Sequence, residues 1–116
     1  MLVLFDTLWG EKIIDTDSIK FVESEKNILN VYTDESKYSL RISLKNFMQH
    51  PAGESMCQIN RKNAINIKCI DFYDDVSVTL NDGMSLTLSR RRGAMLRKII
   101  RGVEFSSLNI TFKRRK

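Results

Sequence analysis

At 116 residues, 42% hydrophobic, with one Pro and five Gly, the chain supports a single packed domain and excludes an internal linker or a repeat array. No apolar run approaches the ~20 residues that span a bilayer, and the opening Met1–Lys12 lacks a signal peptide's basic start and small-residue cleavage site, so a cytoplasmic protein is expected. The net charge of +5 is unevenly placed: residues 1–89 carry 9 basic and 13 acidic side chains, whereas ten basic side chains after residue 89 face Glu104 alone. That asymmetry suits a polyanion, either nucleic acid or an anionic membrane, unless it is only a solvated face.

Strand signals are short and frequent along the first half. Leu2–Phe5, Ile19–Val22, Ile28–Thr33 and Tyr38–Ile42 are β-rich runs separated by polar turn residues. Ser43 can cap a short helix through Leu44, Phe47 and Met48, stopped at His50-Pro51-Ala52-Gly53. Lys68–Tyr73 is the next strand, and Asp74-Asp75 a polar turn. Val76, Val78 and Leu80 then alternate with Ser77 and Thr79; after Asn81-Asp82-Gly83 the alternation resumes with Met84, Leu86 and Leu88. This is a hairpin, with Asp-Gly supplying the positive φ of a tight turn. Ser89 can cap a second helix, with Met95, Leu96, Ile99, Ile100 and Val103 on one face and Gly102 at its end. Arg90, Arg91 and Arg92 oppose the macrodipole at its start, which points to a use other than helix stability. The expected fold is mainly β: short antiparallel sheets stacked in a compact module, or a small barrel, with one or two short helices.

Catalytic constellations are missing from the sequence. There is one histidine, no nucleophile elbow and no phosphate-binding glycine loop, so no enzyme activity and no cofactor are expected. Cys57 and Cys69 lack C-x-x-C spacing and, with His50 alone beside them, make a poor metal site; two reduced, largely buried thiols are expected. His50 reads as a solvated or capping residue. Three polar clusters stand out at element ends: Lys26-Asn27, Asn60-Arg61-Lys62-Asn63, and Ser89-Arg90-Arg91-Arg92. Arginine can hold guanine O6 and N7 bidentately, asparagine can do the same for adenine, and lysine or serine can fix phosphates. Taken singly, each cluster is also compatible with an ordinary solvated loop.

Four words in order carry a resemblance: DSIKFVESEKN from Asp17, SLRISLKNFMQ from Ser39, INRKNAIN from Ile59, and DVSVTLNDGMSLTLSRRRGAMLRKII from Asp75. Over about Leu8 to Arg101 the chain resembles the LytTR DNA-binding domain, a bacterial family common as the output half of response regulators. The resemblance implies loops from one side of a β module entering major grooves, usually at direct repeats in promoters. It places base reading on Arg61 and Arg91, a phosphate contact on Arg90, and a polar contact loop on Lys26 and Asn27. Lys62 stands in place of the family's serine and Asn63 in place of its usual aromatic residue; Asn66 matches a structural asparagine. Residues 1–16 are too few for a receiver domain, so a receiver or sensor protein acting in trans is one expectation.

The leading reading is therefore sequence-specific binding of double-stranded promoter DNA by Lys26, Asn27, Arg61, Lys62, Asn63, Arg90, Arg91 and Arg92. Residues 1–112 form the single domain, and Lys113–Lys116 a basic tail that adds nonspecific phosphate contacts. A monomer in solution, paired on DNA, with no membrane partner, is expected. Two alternatives stand beside it: an RNA- or single-strand-binding β module, and a partner-binding module that blocks a full-length regulator of the same type.

Overall fold

The computed structural model describes residues 1–102 and 111–112. Seven strands form the larger sheet: β1 (Leu2–Thr7), β2 (Gly10–Asp15), β3 (Ile19–Glu25), β4 (Ile28–Thr33), β5 (Lys37–Leu40), β6 (Met56–Gln58) and β7 (Asn63–Asn66). They run in the order β2-β1-β5-β4-β3-β7-β6, and every pairing is antiparallel. A second sheet orders β10 (Ser85–Thr87), β9 (Ser77–Leu80), β8 (Ile70–Tyr73) and β11 (Thr111–Phe112) side by side. Two helices, α1 (Leu44–Gln49) and α2 (Arg90–Gly102), complete a mainly β fold of the kind the strand-rich sequence predicts. One pairing departs from the antiparallel expectation: β11 lies parallel to β8.

Local chemistry accounts for the elements that the sequence announces. Ser43 Oγ accepts the Asn46 N–H at 3.0 Å and opens α1. His50 closes it and, through Nδ1, accepts the Ala52 N–H at 2.9 Å to start a 3₁₀ turn at Pro51, so its capping role is structural. Gly53 ends that turn where nothing larger fits, because a Cβ there would stand 2.5 Å from the Phe47 carbonyl oxygen. Gly83, at φ +90°, turns β9 into β10, and the turn is tied to the larger sheet by the ion pair of Lys20 with Asp82. That pair, helped by the Met84 N–H, holds the Asp82 carboxyl below its ordinary range.

Three strands arise where periodicity is silent. β2 has Ile13 and Ile14 adjacent rather than alternating, β6 is three residues long, and β7 lies inside the polar word around Arg61. The expected strand at Lys68 begins only at Ile70, since Ile67–Cys69 form a 3₁₀ turn capped by Asn66, whose Oδ1 accepts the Lys68 N–H. Asn66 Nδ2 also donates to the Ile19 carbonyl at 2.9 Å, which gives this buried side chain a purely structural role.

The core has two compartments because β3, β4 and β7 are covered on both faces. Val22, Val31 and Ala64 face one side, where Phe47 and Leu44 of α1 pack on them. Phe21 and Ile65, directly paired across β3 and β7, face the other, against Val78, Leu80, Leu88, Leu96 and Ile100. The period of two along each strand thus divides adjacent residues between compartments. On α2 the buried stripe is narrower than its sequence suggests: Leu96 and Ile100 pack inward, but Met95 is 45% and Ile99 37% exposed. Val103 and the tail 113–116 lie outside the described residues.

Candidate nucleic-acid interface

Strand register decides which loops meet. Reading across the larger sheet, Thr7 pairs with Gly10 and with Leu40, Leu40 with Leu29, Glu25 with Ile28, Glu23 with Asn63, and Ala64 with Gln58. The β3–β4 turn, the β6–β7 loop and the chain leaving β5 toward α1 therefore open at one end of the sheet. The β3–β4 turn carries Lys26 and Asn27, both exposed. Lys26 has φ +55°, a left-handed conformation that costs an L-residue roughly 1 kcal/mol. The two-residue connection closed by Glu25 and Ile28 requires that positive φ, so the hairpin explains the conformation and only the choice of lysine there is left for function to explain.

Asn60 organises the second loop. Its Oδ1 accepts the Lys62 N–H at 2.8 Å and the Asn63 N–H at 2.9 Å, and its Nδ2 donates to the Thr87 carbonyl at 2.7 Å. The Lys62 carbonyl accepts the Ser24 N–H at 2.8 Å, fastening the loop to β3. Arg61 and Lys62 are left exposed at its tip. Asn63 differs from expectation: it is 6% exposed, and its Nδ2 donates to the Val22 carbonyl at 3.2 Å, so its side chain is turned into the sheet. Strand pairing explains the difference, because Asn63 is the first residue of β7, which is buried along its whole length between β3 and β6.

The third cluster is brought to the second by two cross-links. Besides Asn60 to Thr87, the Ser89 N–H donates to the Ile59 carbonyl at 2.9 Å. Ser89 Oγ accepts the Arg92 N–H at 3.3 Å and caps α2 as predicted. Arg90 and Arg91 are exposed; Arg92 is half-buried, with its guanidinium 3.9 Å from Met95 Sδ. Below it lies Cys57, whose thiol burial pushes up to about 11 despite the opposing influence of Arg92. Cys57 and Cys69 are both free, the first buried and the second half-buried.

Charge follows the same division of the sheet. The loop end carries Lys26, Arg41, Lys45, Arg61 and Lys62, joined by Arg90, Arg91 and Arg92, against Asp6, Glu11, Glu23 and Glu25; the opposite end carries Asp15, Asp17, Asp34, Glu35 and Glu54 against Lys20, Lys37 and Lys68. The four ion pairs among the described residues, between the Met1 amine and Asp15 and Asp17, Lys20 and Asp82, and Arg97 and Asp75, involve none of the loop-end cations. Among the described residues no three metal-binding side chains cluster, and no helix is long and apolar enough to cross a membrane.

The sequence clusters around Lys26, Arg61 and Arg91 are thus brought to one side, apart from Asn63. Sequence reasoning missed Asn60 as the fastener, and it missed α1, whose Lys45 and Gln49 line a depression with Arg61 and Arg92. Their spacing of four residues on a helix with an apolar opposite face was the available signal.

A β scaffold presenting clustered cationic loops has the form of a DNA-binding module. Residues 11–101 match the profile of the LytTr DNA-binding domain, and the chain belongs to that family of non-catalytic DNA-binding domains. In fold it is similar to the solved LytTr DNA-binding domain of a Bacillus cereus protein named as a methyl-accepting/DNA response regulator. That likeness has a TM-score of 0.70 at 16% identity, over 88% of this chain and 97% of the other. No curated protein matches the chain.

Proposed function

We propose that this domain reads a specific duplex sequence in promoters, with Arg61 and Arg91 on base edges and Lys26, Asn27, Lys62, Arg90 and Arg92 on the phosphates beside them. One observation carries the reading: the β6–β7 loop and the start of α2 are locked together by the Asn60–Thr87 and Ser89–Ile59 hydrogen bonds, so two arginine-bearing tips keep a fixed separation. The β3–β4 turn lies two strand spacings from the β6–β7 loop, about 10 Å, close to the width of one major groove. Tips so spaced can place one side chain in the groove while another holds its phosphate rim. Binding at direct repeats needs no two-fold interface, and a cytoplasmic monomer paired on DNA fits this reading. Control then comes from a receiver or sensor, joined to the domain or acting in trans, as the family's place in response regulators suggests.

The strand aromatics give a single-strand or RNA platform little support, and Trp9, exposed on the β1–β2 turn, is the one ring at the loop end free to stack among the described residues. Phe21 and Tyr73 are buried, and the Tyr32 ring is stacked on Phe21 at 4.4 Å with the Lys37 ammonium over it. The test is selection of bound duplexes from a random pool, then anisotropy titration of the enriched site and a scrambled one at two salt concentrations. Specific readout gives a preference of about 1000-fold or more. Arg61→Ala and Arg91→Ala then each cost on the order of 1 to 3 kcal/mol on the enriched site and relax its base preference. Equal, salt-sensitive binding to every duplex overturns the proposal and favours a partner-binding module.

A further inference from the structure

Beside Arg61 the surface dips into an open depression between α1 and the β6–β7 loop. Its walls are Lys45 and Gln49 of α1, Gln58 at the end of β6, Arg61 and Arg92, over Leu44. Lys45 and Gln49 are one helical turn apart, so both side chains reach over the same rim. Three cations line this hollow, and none of them forms an ion pair among the described residues. Like charges gathered without a carboxylate repel one another, and a single bound anion converts that repulsion into attraction. The two glutamine side chains add neutral N–H donors of the kind that orient a phosphate oxygen. Gln58 is also held in place, its Nε2 donating to the Asn60 carbonyl at 3.0 Å.

From this we infer that the depression is a seat for one phosphate of the DNA backbone, held by Lys45 and Arg92 and flanked by Gln49 and Gln58. It rests on the duplex-binding reading above and extends it: α1 becomes a backbone contact that sets the register of Arg61 on its base. Lys45 is exposed and lies outside both core compartments, so replacing it leaves the fold intact.

The experiment uses the full chain and the enriched duplex, with single methylphosphonate replacements walked along both strands. Lys45→Ala is expected to weaken the enriched and scrambled duplexes alike by several fold, leave their ratio unchanged, and flatten the salt slope by about one phosphate's worth, ~0.9. Lys45→Arg restores both. At one position only, neutralising the phosphate should abolish the effect of Lys45→Ala, because the partner of the missing charge is already gone. An unchanged salt slope, or a Lys45→Ala penalty that persists at every methylphosphonate position, overturns the seat. Failure of the wild-type chain to prefer the enriched duplex instead overturns the sequence-reading proposal, and the salt slope on nonspecific duplex still decides whether Lys45 holds a phosphate.

Discussion

Replacing Asn60 by alanine removes three hydrogen bonds while leaving every side chain proposed to meet DNA in place. Two of them shape the Arg61 loop, and the third joins that loop to the end of β10. A typical intramolecular hydrogen bond nets about 0.5 to 1.5 kcal/mol, and Asn60 is only half-buried, so the expected loss is about 1.5 to 3 kcal/mol. For a domain of this size that lowers Tm by roughly 10 °C. Asn60→Asp separates the contributions: its carboxylate still accepts from the Lys62 and Asn63 N–H groups but loses the donor to Thr87 and sets an anion against that carbonyl. Thermal unfolding followed by circular dichroism reads stability, and anisotropy on the enriched duplex at a temperature where both variants are folded reads binding. Both variants should bind more weakly than wild type, with the Asp variant's thermal loss arising from the cross-link alone. A Tm within about 1 °C of wild type for Asn60→Ala, or unimpaired binding by a destabilised variant, would refute the idea that this side chain fixes the spacing of the two arginine tips.

Other substitutions test separate parts of the scheme. Gly53→Ala sets a Cβ 2.5 Å from the Phe47 carbonyl oxygen and should destabilise the domain by about 1 to 3 kcal/mol in chemical denaturation. Gly93→Ala meets the buried Leu88 side chain at 3.3 Å, which must give by a few tenths of an ångström, and the gain of about 1 kcal/mol in helix propensity offsets that contact, so it should be near neutral in the same assay. Lys26→Gly relieves a left-handed residue and should raise stability by up to about 1 kcal/mol while weakening DNA binding; if both quantities fall together, the strain argument at the β3–β4 turn is wrong. Cys57 has its thiol raised from 9.0 to about 11, so the folded state holds a proton that the unfolded state gives up first. The Cys57 contribution to stability should be constant below pH 9 and decline between pH 9 and 11, so that the alkaline decline is shallower in Cys57→Ala; an equal decline in both proteins would place its cause elsewhere.

What could be read from the sequence was what is decided within a few residues. Ile28–Thr33 matches β4 end for end, the Ser43 cap and the Pro51 stop bracket α1, and Asp82-Gly83 closes β9 on β10, because each rests on local hydrogen bonding or backbone freedom. β2 and β6 were hidden because partners impose them: β2 exists through its six-residue register with β1, and β6 through three pairs with β7. The fate of the asparagines in the Arg61 loop shows the same limit. Asn60 and Asn63 are chemically identical, and only the pairing of Asn63 with Glu23 sends one side chain inward and leaves the other to bridge two elements. Met95 and Ile99 fit a helical apolar stripe, yet they keep 45% and 37% of their surface exposed, so periodicity alone overstated the buried face of α2.

The separation of charge along the larger sheet has a consequence that precedes any contact. With Arg90–Arg92 counted, cations outnumber carboxylates at the loop end and carboxylates outnumber cations at the far end, and this imbalance gives the domain an electrical axis roughly along the strands. In the field of a polyanion such an axis feels a torque, which turns the loop end forward while the two molecules are still separated by about a Debye length, ~8 Å at physiological salt. A larger share of diffusive encounters then arrives already oriented, and encounters led by the acidic end are repelled. Added salt should slow association far more than it hastens release, a kinetic signature of the scaffold itself rather than of any one reading side chain.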